Sequence, residues 1–305
     1  MNKQNDRAMA LRLPALALLI VAAAGCSASS IRFTREGGYP GLQATDECYP
    51  EDGFQSASEP SVFRVAIDAC GHLYPDPKEC APEEKELGAK GSCVARCLGS
   101  AYGGAAIAER FAEQINARCG ATRKTTLMIL VHGFGNAYPV ARRSFELARM
   151  RIAQRFPGRE FAFLEVYWDG KLGSPLTGWG AARRSSKWAG LGLRALLRGI
   201  DERVSMRAIS HSRGASVLAS ALWNVPLLEE REENERFAAR QKELAPPRLA
   251  SIRLGWLSPA MPETDVESMR GACERIVMTV NENDPALGKG LLPATMFGST
   301  ALGCD

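Results

Sequence analysis

The sequence predicts an α/β fold, a doubly wound and mostly parallel sheet preceded by a disulfide-rich N-terminal segment. Three observations carry this expectation. From Thr125 onward, short apolar runs of strand length alternate with stretches of helical periodicity. Six of the nine cysteines fall between Cys48 and Cys119, where apolar periodicity is weak. Two strand-to-helix junctions, His132-Gly133-Phe134-Gly135 and Ser210-His211-Ser212-Arg213-Gly214, combine small residues with groups able to do chemistry.

At the N terminus, Lys3, Arg7 and Arg12 against Asp6 precede an apolar stretch from Leu13 to Ala24. That stretch is too short for a membrane span, which takes about 20 residues, and reads as an export signal over 1–25. It ends in Ala23-Ala24-Gly25-Cys26, which resembles the lipobox of a bacterial lipoprotein, with Cys26 the lipidated residue. Ala23 stands where leucine is usual. The other reading is an ordinary secretory signal with a chance cysteine. Ser27, not aspartate, follows Cys26, which favours the periplasmic face of the outer membrane. Residues 26–60, rich in Ser, Gly, Pro and Glu, read as a tether.

Residues 61–123 read as a cysteine-rich N-terminal segment. Setting aside Cys26 leaves an even number of cysteines, consistent with as many as four disulfides in an oxidising compartment. Cys93 and Cys97 also have a possible metal-ligand spacing, but the export signal favours bridges, so no metal and no organic cofactor is expected. Val62 to Ile67 alternates like a strand, and Gly103 to Arg118 spaces Ile107, Phe111 and Ile115 like an amphipathic helix. Net charge is +4, half of it in the signal, and no dense basic block with interleaved aromatics appears, so nucleic acid is not an expected partner.

Residues 124–305 read as the α/β domain. Thr125 to Val131 is a continuous apolar run fit for a strand covered on both faces. A turn at Gly133 and Gly135 follows, then a helix from Pro139 to Arg155 with Val140, Phe145, Leu147 and Ile152 among its apolar positions. Asp169 to Gly192 reads as a loop leading to a helix from about Ser185 to Asp201. Glu229 to Arg236 is mixed in sign and reads as a solvated helix face or excursion. Val204 to Ser210 is a strand that breaks at Ser212 and re-enters a helix from Ala215 to Trp223.

That break has the layout of a nucleophile elbow. A serine held in a strained turn needs small residues two places either side, here Ser210 and Gly214. Backbone N–H groups at the two turns would stabilise an oxyanion, each worth about 3 kcal/mol of barrier. The plain alternative is a buried serine at an ordinary strand–helix turn. Arg275 to Val280 is a late strand leading to Asp284-Pro285, where Asp284 suits either an acid that orients an imidazole or a helix N-cap.

Together these pieces resemble the α/β-hydrolase superfamily, in a bacterial lipase- or esterase-like branch of unassigned function. The resemblance spans residues 125–303 and rests on the turn at His132, the strand Phe161 to Trp168, the elbow at Ser212, the strand Ile252 to Pro259, and Asn283 to Leu287. It implies Ser212 as nucleophile, Asp284 as acid, Phe134 and Arg213 as oxyanion donors, and His132, Gly133 and Gly135 as support for the oxyanion loop. The family's base is a histidine after a final strand, and no histidine follows His211 here. His211 directly precedes the nucleophile and is expected to point away from it. His132 belongs to the turn, and His72 would have to reach in from the N-terminal segment. Three explanations stand: a reading frame that ends early, a catalytically degenerate chain, or a base from elsewhere. The expected function is an envelope serine hydrolase acting on an acyl ester through an acyl-serine. The alternative is a degenerate hydrolase-fold lipoprotein that binds an envelope component.

Overall fold

The chain folds around one sheet that runs through both of the segments separated by the sequence pattern. The computed structural model describes residues 55–56, 59–74, 104–120, 124–136, 138–168, 175–227, 231–248, 252–257, 259–261, 263–267, 269 and 275–279. The signal, Cys26, most of the tether and cysteine-rich segment, and Asp284 lie outside these residues.

The strands are β1 (Gln55–Ser56), β2 (Glu59–Ile67), β3 (Leu73–Tyr74), β4 (Thr126–Val131), β5 (Phe161–Trp168), β6 (Met206–His211), β7 (Ile252–Leu257) and β8 (Arg275–Thr279). The helices are α1 (Gly104–Gly120), α2 (Tyr138–Arg155), α3 (Pro175–Leu197), α4 (Gly214–Leu222), α5 (Arg231–Glu243) and α6 (Glu263–Glu267). The sheet order is β1-β2-β5-β4-β6-β7-β8, with β3 pairing β2. β2, β5, β4, β6, β7 and β8 are all parallel, while β1 and β3 run antiparallel to β2. This is a mostly parallel α/β fold.

Chain direction decides which face each helix covers. The connections β2 to β4, β5 to β6 and β6 to β7 all step one way across the sheet, and α1, α3 and α4 pack on one face. The step β4 to β5 goes the other way, and α2 packs on the opposite face, over Met128, Leu130, Phe163 and Tyr167. That change of face is what a uniform right-handed crossover requires. β4 and β5 therefore have both faces covered, and β5 is buried at every position.

Several expectations change. β2 is an inner parallel strand, buried from Val62 to Ile67 without alternation, so the boundary at residue 124 does not divide the sheet. The helix assigned to Ser185–Asp201 already begins at Pro175, so part of the expected loop is helical. On α2, Phe145 is buried, but Val140 and Leu147 are exposed because Ala141 and Phe145 set the inward direction. Cys70 is disulfide-bonded. Cys119, by contrast, is a free thiol buried in the core, with its pKa pushed up to about 11 by burial. The even pairing of eight cysteines therefore fails at Cys119, whose side chain serves as a small apolar group where α1 meets the sheet.

Candidate active site at Ser212

β4 and β6 are neighbours in register, with Val131 beside Ser210. Their C-terminal ends therefore bring the two sequence-predicted turns together at the same edge of the sheet. Ser212 has φ +50, the only positive φ at a non-glycine residue among the described residues. Such a backbone costs about 1–3 kcal/mol and persists only where its surroundings over-determine it. Here they do. The Ser212 N–H donates to the Leu257 carbonyl at 2.9 Å, and its own carbonyl accepts from Ala215 at 3.1 Å and Ala260 at 3.2 Å. The strained residue is thus held by its own helix on one side and by the tail of β7 on the other. Its side chain is half-buried.

Two glycines are required by close approach. A Cβ on Gly214 would meet the His132 carbonyl oxygen at 2.6 Å and that of Val131 at 3.0 Å, because α4 starts directly against the end of β4. A Cβ on Gly133 would meet His211 Nδ1 at 2.6 Å and Ser212 Cβ at 3.1 Å. The Gly133 turn therefore lies against Ser212 itself. Gly135 takes φ +76, which closes the turn, and Phe134 leans on the core. Ser210 is buried between β4 and β7, where only a small side chain is present two places before Ser212.

His132 is buried and fixed as a neutral ring. Its Nδ1 donates to the Gly133 carbonyl at 2.9 Å, and its Nε2 accepts from the Trp168 backbone N–H at 3.1 Å. The Trp168 indole N–H donates to the His132 carbonyl at 2.8 Å, and the two rings stack with centroids 5.7 Å apart. Burial, joined by the nearby His211, pushes its pKa down to about 4, and the backbone hydrogen bonds only partly oppose this. With both ring nitrogens engaged, His132 braces the turn and does not accept a proton from Ser212.

The other histidines differ. His72 Nδ1 lies 2.9 Å from Asp68 Oδ2, whose hydrogen bond and charge outweigh burial and raise its pKa. Asp68, Cys70 and His72 bring potential ligand atoms within 4.8 Å of one another, but the Cys70 sulfur is in a disulfide, which is no thiolate ligand. This turn follows β2, which is separated from β6 by β5 and β4, so roughly 14 Å of sheet lies between it and the elbow. His211 is exposed and lies across Gly133 rather than away from the site.

Arg213 enters α4 with a helical backbone, and its guanidinium is buried, its pKa lowered to about 10 by desolvation. It lies in the field of a group that sequence reasoning missed. Asp265 on α6 is fully buried, with Oδ1 2.9 Å from Lys187 Nζ and Oδ2 without a hydrogen-bond partner among the described residues. Burial raises its pKa, against the opposing charges of Lys187 and Arg213. The signal for it was available: Asp265 follows a strand next to the elbow, the same rule that selected Asp284.

Comparison with known proteins brings no match: no family model, no curated protein and no solved structure matches the chain.

Proposed function

We propose that the protein is an α/β-hydrolase-type serine acyl hydrolase of the cell envelope, tethered through a lipidated Cys26. The observation that carries the reading is the strained Ser212 backbone at a strand–helix junction, with the Gly133 turn against its Cβ. A positive φ at serine is costly, and such strain clusters at functional sites. In the proposed reaction, Ser212 Oγ attacks the carbonyl carbon of an acyl ester. The oxyanion is held by the N–H groups of Phe134 and Arg213. The ester C–O bond breaks, and the alcohol leaves with the proton that the Ser212 hydroxyl gives up. Water then cleaves the acyl-serine to acid and Ser212. Asp284 is the acid of this reading.

A second reading is favoured by the histidines themselves. His132 is locked and the His72 turn is remote, which leaves His211, across Gly133, as the one histidine beside Ser212. If His211 does not take the serine proton, the chain keeps only the residual rate of oxyanion hole and binding, and the fold then serves to bind an envelope component. A fluorophosphonate probe separates the two. The hydrolase reading expects labelling of the wild type and none of Ser212→Ala. If the folded wild type stays unlabelled, the binding reading stands instead.

A further inference from the structure

We propose that the outer side of α2, with the open half of the sheet beside it, is a docking surface for a membrane bearing anionic lipids. The large apolar side chains that stand exposed among the described residues lie on α2 and the residue after it, or on β7 and β8. Val140 and Met150 are 54% exposed and Val277 49%. Leu257 follows the buried Trp256, and Val277 follows Ile276, which packs on the other core, so both turn to the face that α2 covers; Met278 turns to the opposite face. That face is covered by α2 over β4 and β5, and no described helix covers it over β7 and β8.

The helix geometry joins the two parts. Arg149 leaves α2 towards Glu165 on β5. At 100° per residue, Val140 and Leu147 lie on the opposite flank, turned towards β6 and the bare strands. The surface is mostly basic. Arg143, Arg151 and Arg155 are exposed on α2, and Arg275 shares a face with Val277 on β8. None of these four is paired with a described carboxylate. The acid on α2 is Glu146, whose Oε1 already accepts from Arg142 at 3.2 Å.

Isolated apolar side chains interleaved with arginines are the composition of an interfacial helix, in which the apolar groups enter the headgroup layer and the guanidiniums meet lipid phosphates. An acidic protein would satisfy the charges. It would not need single apolar groups spaced along a convex helix, which a fluid surface accepts one by one. The proposal stands whether or not Ser212 reacts.

The test is sedimentation of the full chain with vesicles of phosphatidylcholine alone or mixed with phosphatidylglycerol. The wild type is compared with Arg143→Gln/Arg151→Gln/Arg155→Gln and, separately, with Met150→Asp. All four positions are solvent-exposed, and thermal unfolding checks that the variants fold. The expected result is tighter binding to the mixed vesicles, weakened by salt. Each arginine is worth about fivefold, so the triple variant loses on the order of a hundredfold. The apolar leader is common to every chain and cancels in the comparison. Equal binding of wild type and triple variant to the mixed vesicles overturns the proposal. So does dimerisation, or capture of a DNA duplex, through this face without vesicle binding.

Discussion

Serine is an uneconomical choice at φ +50, since glycine adopts that conformation without steric cost. The cost at Ser212 gives a direct test of whether the strain is real. Ser212→Gly should raise stability by about 1 kcal/mol, while Ser212→Ala, which keeps a Cβ, should leave it nearly unchanged. Denaturant midpoints of the two variants decide it; a Gly variant no more stable than the Ala variant would mean an unstrained elbow. Sequence alone identified this residue because the small neighbours at Ser210 and Gly214 are a local pattern. It gave no sign that both backbone groups of Ser212 are held from β7, since Leu257 and Ala260 lie far along the chain.

Among the elements, α4 shows how a buried charge secures a short helix. The Arg194 guanidinium donates to the carbonyls of Ser220, Trp223 and Leu244 and to Asn224 Oδ1. It thereby satisfies carbonyls that a helix C-terminus leaves open. Arg194→Met should cost about 3 kcal/mol, with Arg194→Lys no cure, because an ammonium lacks the planar fork. Thermal or urea unfolding would expose the error if the loss were under about 1 kcal/mol. Strands β4 to β7 and helix α4 were legible because their apolar runs are local. The start of α3 was not: glycines 178 and 180 and Pro175 argue for a loop, yet the helix begins there. β2 was seen as a strand, but not as the parallel neighbour of β5, because that pairing joins residues about a hundred positions apart.

For the molecule as a whole, acid stability should carry the signature of His132. Its folded-state pKa of about 4 lies below the ordinary 6.5. The unfolded chain therefore binds more protons between those values, and stability present above 6.5 is lost as pH falls towards 4. The loss should be about 3 kcal/mol and should shrink in His132→Asn, followed by denaturant unfolding across that window. A wild-type slope no steeper than the variant's would contradict the buried, neutral ring. The core holds other charges that composition hides. Glu165 is fully buried, accepting from Arg64 Nε at 3.0 Å and the Tyr167 hydroxyl at 2.6 Å, and it also pairs with Arg149. Charged residues default to the surface in sequence reasoning, yet a lone glutamate inside Phe161-Ala-Phe-Leu-Glu-Val-Tyr-Trp168 was a readable exception.

The hold of β7 on Ser212 also orders events in time. Its N–H partner is Leu257 and one donor to its carbonyl is Ala260, so a chain emerging N-terminus first lacks two of these three hydrogen bonds until residue 260 has followed. Until then the serine is free to relax into an ordinary turn. The chain thus acquires its strained serine late, after β2, β4, β5 and β6 have all emerged.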